Sequence, residues 1–326
     1  MPPRVPIRAP ASLSYAEAMA VAHSRSHRLV VGAVGLTALT AACAVLGISA
    51  AKVESATTRS PQPIPRAPVL APAAVPHVLA AAVAQKPRCS ADMVLVEQAC
   101  VDRYEAHLLE ADASGALVPH PAQQRPVRGT RYVAASSAGV KPQGFISQVE
   151  ATNACENAGK RLCSVREWFR ACTGSSHTTY PYGASYEHGR CNVGKTHLLS
   201  QLHGARSDAW SYDDFNDPRL ATTPGFLALT GEYPGCISTE GAYDLVGNLH
   251  EWVADHVDAS LPSKLPVPAV AQRRIGKHPG NGIFMGGFFS TLSQHGDGCS
   301  YTTAAHAPSY HDYSTGFRCC QDAGPE

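Results

Sequence analysis

Tyr243-Asp244-Leu245-Val246-Gly247-Asn248-Leu249-His250-Glu251-Trp252-Val253 packs apolar residues, a turn glycine, two carboxylates and a tryptophan of the buried type into one short stretch. Asp244 and Glu251 bracket a tight turn at Gly247-Asn248. Side-chain oxygens at both ends, with backbone carbonyls freed by the turn between them, make a cradle suited to a hard cation such as Ca²⁺. A capped turn whose carboxylates face water carries the same signature, because acidic turns are common.

The surrounding chain has 326 residues, room for one large domain or two small ones, and a net charge of +1. That balance gives no reason to expect nucleic acid or an acidic substrate. Eleven cysteines are many for a cytosolic protein. Cys43 lies in an apolar run; the even number left in an exported segment reads as a disulfide framework.

Residues 1–28 are basic and irregular, with Arg4, Arg8, Arg25 and Arg28 against Glu17. Residues 29–51 carry no charge and, at ~1.5 Å per residue, reach across a ~30 Å bilayer core. The basic flank predicts a single-pass anchor with a cytoplasmic tail and everything beyond it exported, periplasmic or extracellular. A signal peptide cleaved after Ser49-Ala50-Ala51, or a lipoprotein box at Leu39-Thr40-Ala41-Ala42-Cys43, would export the same remainder. Residues 52–87 are rich in Pro and Ala and read as an extended linker.

The folded domain is expected over 88–322. Met93-Val94-Leu95-Val96 and Cys100-Val101-Asp102-Arg103-Tyr104-Glu105 read as two strands around a turn, which Cys89 and Cys100 could clip. Residues 106–145 read as loop. A helix is predicted from Ser147 to Ala158, closed by Gly159. The next carries the S-x-x-E capping box Ser164/Glu167, then Val165, Trp168, Phe169 and Cys172 on one apolar face, ending at Gly174. From Tyr180 to Gly241 no periodic run is long. Three further short strands are read in Ile283-Phe284-Met285-Gly286-Gly287-Phe288-Phe289, Tyr301-Thr302-Thr303-Ala304-Ala305 and Gly316-Phe317-Arg318-Cys319-Cys320.

In this order these pieces resemble the formylglycine-generating enzyme family, also called sulfatase-modifying factors. The resemblance rests on Met93-Val94-Leu95-Val96 with Asp102-Arg103-Tyr104-Glu105; Ala158-Gly159-Lys160-Arg161-Leu162 with Glu167-Trp168; Tyr180-Pro181-Tyr182-Gly183; residues 243–253; Gly286-Gly287; and Gly316-Phe317-Arg318. It implies an α+β domain of the C-type-lectin-like kind, loop-rich, with a small sheet and two helices. It also implies structural Ca²⁺. One site would use the Asp244 and Glu251 side chains with the Gly247 and Leu249 carbonyls. A second would use Asn192, the Val193 carbonyl, Asp217 and the Arg219 carbonyl.

The family's chemistry is not matched. Its enzymes hold copper on a C-x-x-x-x-C thiolate pair just after the Gly-Gly strand and oxidise a substrate cysteine to formylglycine. The first position here is Thr291, and no cysteine falls at 294–298. Hydroxyl and amide groups do not replace thiolates for Cu(I), so copper is not expected. Met285 and His306 stand where arginines occur in the family. The resemblance pairs Cys155 with Cys319 and Cys172 with Cys299; Cys191 with Cys236, Cys89 with Cys100 and Cys163 with Cys320 would complete five bridges, the last two by elimination. A bridged Cys299 cannot be a copper thiolate.

Thr291, Cys299, His306 and His311 are the groove candidates. His295, His306 and His311, with Tyr310 and Asp312, could also hold zinc or iron, although their spacing matches no compact ligand motif. The expectation is a catalytically divergent, calcium- and disulfide-stabilised module, a pseudoenzyme binding an exported protein or peptide or a small polar ligand. The alternative is an active formylglycine-generating oxidase acting on an exported protein.

Overall fold

The computed structural model describes residues 88–261, 278–292 and 295–325. The tail, the apolar run and the linker at 1–87 lie outside them. Among the described residues no helix is long and apolar enough to cross a membrane.

Two capping boxes set the main helices. Ser147 accepts from the Glu150 N–H while the Glu150 carboxylate accepts from Ser147, starting α1 (Gln148–Asn157). Ser164 and Glu167 do the same for α2 (Val165–Thr173). Each reciprocal pair satisfies two backbone donors that a helix start leaves open. α1 is followed by Gly159 at φ 70° and α2 ends at Gly174 at φ 61°. Trp168 and Cys172 on the apolar face of α2 are fully buried.

The strands form three small sheets. In the first, β1 (Met93–Val96), β2 (Ala99–Asp102), β11 (Cys319–Asp322) and β6 (Arg161–Leu162) lie in the order β1-β2-β11-β6. The second has the order β10-β7-β8-β9, with β7 (His250–His256), β8 (Gly282–Met285), β9 (Thr302–Thr303) and β10 (Thr315–Phe317). β10 runs parallel to β7, pairing Gly316 with Glu251. The third sheet, β4-β3-β5, is built from β3 (Ala106–Ala111), β4 (Leu117–Pro119) and β5 (Tyr132–Ser136). It occupies the segment read as loop. Its Ala, His and Glu content has low strand propensity, and its alternating burial comes from packing of Ala106, Leu108, Tyr132 and Ala134 with α1 residues Ala151 and Ala154. Three short helices, α3 (Leu198–His203), α4 (Tyr212–Phe215) and α5 (Arg219–Thr222), interrupt the irregular middle.

Five disulfides tie these pieces: Cys89–Cys100, Cys155–Cys319, Cys163–Cys320, Cys172–Cys299 and Cys191–Cys236. They are the five pairs expected above. Vicinal Cys319 and Cys320, on opposite faces of β11, fasten that strand to α1 and to the start of α2.

The stretch 243–253 runs through the centre of this frame. Gly247, at φ 84°, has the Asn192 carbonyl only 2.2 Å from where a Cβ would stand, so no other residue fits this turn. Asn248, also at positive φ, holds the turn by its side chain. Its amide donates to Glu105 at 2.5 Å and its carbonyl accepts from Asn192 at 2.8 Å and from the Ala228 N–H at 2.9 Å.

Candidate functional site

The two carboxylates of the central stretch have different surroundings. Glu251, at the start of β7, is 1% exposed. Its oxygens accept from Arg318 Nε and Nη2, each at 2.6 Å, and from the Trp168 indole at 2.7 Å. Arg318 also donates to the Asp102 and Tyr243 carbonyls at 3.0 and 2.8 Å. Asp244 accepts from the Gly231 N–H at 2.6 Å. A third buried carboxylate, Glu105, accepts from the Leu249 N–H at 3.0 Å as well as from Asn248. Burial, then the charges of Asp244 and Glu251, pushes Glu105 well above the usual carboxylate range. Burial likewise raises Asp244 to about 7. The Arg318 guanidinium is the cation that faces this cluster.

The expected calcium ligands are not assembled as a free set. Glu251, expected as a calcium ligand, accepts here from Arg318 and Trp168, and the guanidinium, brought from β10's C-terminal edge, occupies the carboxylate fork. In the second set, the Asn192 Oδ1 is buried without a hydrogen-bond partner among the described residues, an acceptor suited to a cation. Asp217, however, accepts the Arg219 N–H at 2.9 Å, pairs with the Arg219 side chain, and lies 3.0 Å from His203 Nε2. The Arg219 carbonyl accepts from Thr223 N–H and Oγ1. Val193 is placed by its N–H bond to the Cys191 carbonyl. Among the described residues no group of three or more His, Cys, Asp or Glu is arranged to hold a metal ion.

After β8, Gly286 and Gly287 turn the chain at φ 80° and 76°. A Cβ on Gly287 would stand 2.8 Å from the Thr291 side chain, so the glycine lets Thr291 fold back. The Thr291 hydroxyl accepts from the Phe288 N–H at 2.8 Å. Two cavities meet here. A basin of about 690 Å³ is lined by Lys195, His197, Arg206, Trp210, Phe288 and His295, among others. A slot of about 400 Å³ is lined by Tyr180, Tyr186, Val193, Val246 and Asp297, among others. Both include Gly194, Thr291, Leu292 and Tyr301, so Thr291 sits at the junction of one groove. Burial pushes the Tyr301 phenol up to about 12, against the Thr303 and Thr291 hydroxyls beside it.

Below the basin a cavity of about 20 Å³ is walled by His197, His250, His306, Tyr301 and Asp312, among others. His250 stacks on Tyr301 with centroids 5.4 Å apart, and His197 on Trp210 at 5.1 Å. His306 lies between Phe284 at 5.8 Å and Tyr310 at 3.8 Å. His295 meets Tyr301 edge-on at 5.4 Å, whereas His311 packs on Tyr212 at 5.6 Å and lines neither groove cavity. The trio His295, His306 and His311 is therefore not one cluster. His197 and His250 join His306 instead, and nothing in their sequence spacing marks them. Cys299 is 1% exposed and bonded to Cys172.

Burial lowers His197 to about 4, and burial, then His278, lowers His306 to about 4. Such groups stay neutral in the folded chain but charge in the unfolded chain below about 6.5. Their contribution is present above pH 6.5 and lost as pH falls toward 4. His306→Phe keeps a ring between Phe284 and Tyr310 and removes the proton site. Its acid-unfolding midpoint is expected at lower pH than that of the parent chain; circular dichroism against pH measures this, and an unmoved midpoint would contradict it.

A loop-built α+β domain stapled by disulfides, with a groove opening beside the turn that follows a Gly-Gly strand end, defines the formylglycine-generating-enzyme-like class. A sequence model described as the sulfatase-modifying factor enzyme 1-like domain matches residues 94–323, and the chain belongs to that family. Among solved structures, PvdO from Pseudomonas aeruginosa is similar at 14% identity and TM-score 0.40, over 73% of this chain and 100% of that one. The P3c variant of the Major Tropism Determinant is similar at 14% identity and TM-score 0.35, over 72% of this chain and 53% of that one. No curated protein matches.

Proposed function

We propose that this domain has given up copper-dependent cysteine oxidation and binds an exported peptide or a small polar ligand in the groove centred on Thr291. The observation that carries this reading is the state of the groove's sulfur chemistry: Thr291 stands at the junction, and Cys299 is held by Cys172. A Cu(I) site needs soft ligands with deprotonated sulfur, and a disulfide offers none. Residues 29–51 would anchor the chain with the domain outside the cytoplasm, where disulfides persist.

The full chain, supplied with Cu(I), oxygen and a cysteine-containing peptide, is expected to leave the peptide thiol unchanged by mass spectrometry. Conversion of that cysteine to formylglycine would restore the oxidase alternative.

Calcium does not fit the first ligand set as arranged, since Glu251 would have to exchange Arg318 for the ion. Any rise in melting temperature on adding calcium is therefore expected to be the same in Asp244→Ala as in the parent chain. A rise with calcium that disappears in Asp244→Ala would place the ion at this turn after all.

A further inference from the structure

The groove floor carries buried polar atoms that no described protein group reaches. His250 is 4% exposed, and its Nδ1 has no hydrogen-bond partner among the described residues; His197 Nδ1 has none either. Both rings wall the same cavity of about 20 Å³, which has room for one water-sized group. His197, Phe288 and Tyr301 also line the 690 Å³ basin, so the small cavity is the floor of the large one. A buried polar atom without a partner is costly, and native structures satisfy nearly all of them.

We propose that this floor is a hydroxyl-binding subsite: a ligand seated in the basin places one uncharged hydroxyl between His197 and His250, with a flat ring against Trp210 and Phe288. The inference rests on the groove reading above and specifies the ligand. The floor admits one oxygen and no more, whereas the basin above it presents the rings of Trp210 and Phe288, with Lys195 and Arg206 also on its wall. Trp210 stacks on His197 at 5.1 Å, and Phe288 lies 5.9 Å from His197 and 5.0 Å from His250. Aromatic walls favour a ring in offset or edge contact. A neutral imidazole can donate through one nitrogen and accept through the other, as can a hydroxyl. A carboxylate would find no cation on this floor. Asp312, the carboxylate at its edge, is already bound by the Tyr310 hydroxyl at 2.5 Å and by Ser314 N–H and Oγ at 2.8 and 2.7 Å. With no ligand present, one water would occupy the floor. A hydroxyl reproduces that water's bonds and a methyl group does not.

The probes are phenol, toluene and benzoate, titrated against the full chain by ligand-observed NMR. Phenol is expected to bind at least about tenfold more tightly than toluene, and benzoate more weakly than phenol. In His250→Phe the phenol preference is expected to fall toward unity while toluene binding persists. Should that variant fail to fold, His197→Phe reads the same floor from the basin side. Equal binding of phenol and toluene overturns the subsite and leaves the groove reading standing. Tightest binding by benzoate overturns the uncharged-hydroxyl assignment. If none of the three binds, the subsite falls, and the peptide reading of the groove stands or falls on its own test.

Discussion

Arg318→Met is expected to lower domain stability by about 3–5 kcal/mol, the usual result of removing one partner of a buried ion pair. Arg318 is wholly buried, holds both oxygens of Glu251, and ties the Asp102 and Tyr243 carbonyls. Burial acts against the Arg318 charge, and the charge and hydrogen bonds of Glu251, with the fields of Glu105 and Asp244, more than offset it and raise the guanidinium. Without it, those carboxylates would share a dry site with no cation. At ~2–4 °C per kcal/mol for a domain of this size, the melting temperature should fall by on the order of 10 °C. Arg206→Met serves as the control: Arg206 pairs with Asp208 on the surface, where such pairs contribute little. Adding Glu251→Gln to Arg318→Met should recover part of the loss, because the uncompensated charge goes with it. Equal melting temperatures for Arg318→Met and Arg206→Met would show that the cluster is not the centre of the fold.

Cys172→Ser/Cys299→Ser is expected to cost about 3–4 kcal/mol in the chain-entropy account. The two cysteines are 127 residues apart, but Cys155–Cys319 already encloses them with a separation of 164. The further loop closed by Cys172–Cys299 is therefore much shorter than its sequence separation, and the stabilisation is correspondingly reduced. The same bond bears on chemistry. All ten described cysteines are in disulfides, so the unreduced, denatured chain should yield one titratable thiol at most, that of Cys43. A second thiol, mapped to Cys299, would reopen the copper reading.

Much of the frame is legible because its signals are local. Ser147/Glu150 and Ser164/Glu167 form their capping boxes within one helical turn, so spacing encodes the hydrogen bonds directly. The strands at Met93–Val96 and Ala99–Asp102 are neighbours in the chain, and a hairpin needs little else. Ala106–Ala111, by contrast, is a strand because Tyr132–Ser136 and α1 pack on it, and its own residues carry no such preference. The groove was legible only in part. Thr291 and His306 were marked by the family's pattern, whereas His197 and His250 come from distant elements and meet through packing alone. Glu105 and Arg318 lay inside recognised motifs with no role attached, since a buried charge is understood only once its partner is known.

The sequence by itself determined the family, the helix starts, the turn at Gly247 and the absence of a thiolate at position 291. These depend on residue identity and short spacing, which no later folding event alters. Tertiary structure alone decided what Glu251 does. Its carboxylate could meet water, an ion or a guanidinium, and the local sequence is the same in each case. The choice falls to Arg318, far along the chain, because β10 pairs with β7 in parallel and delivers that side chain to the dry side of the turn. A buried charge is settled by whichever counter-charge the packing brings within reach.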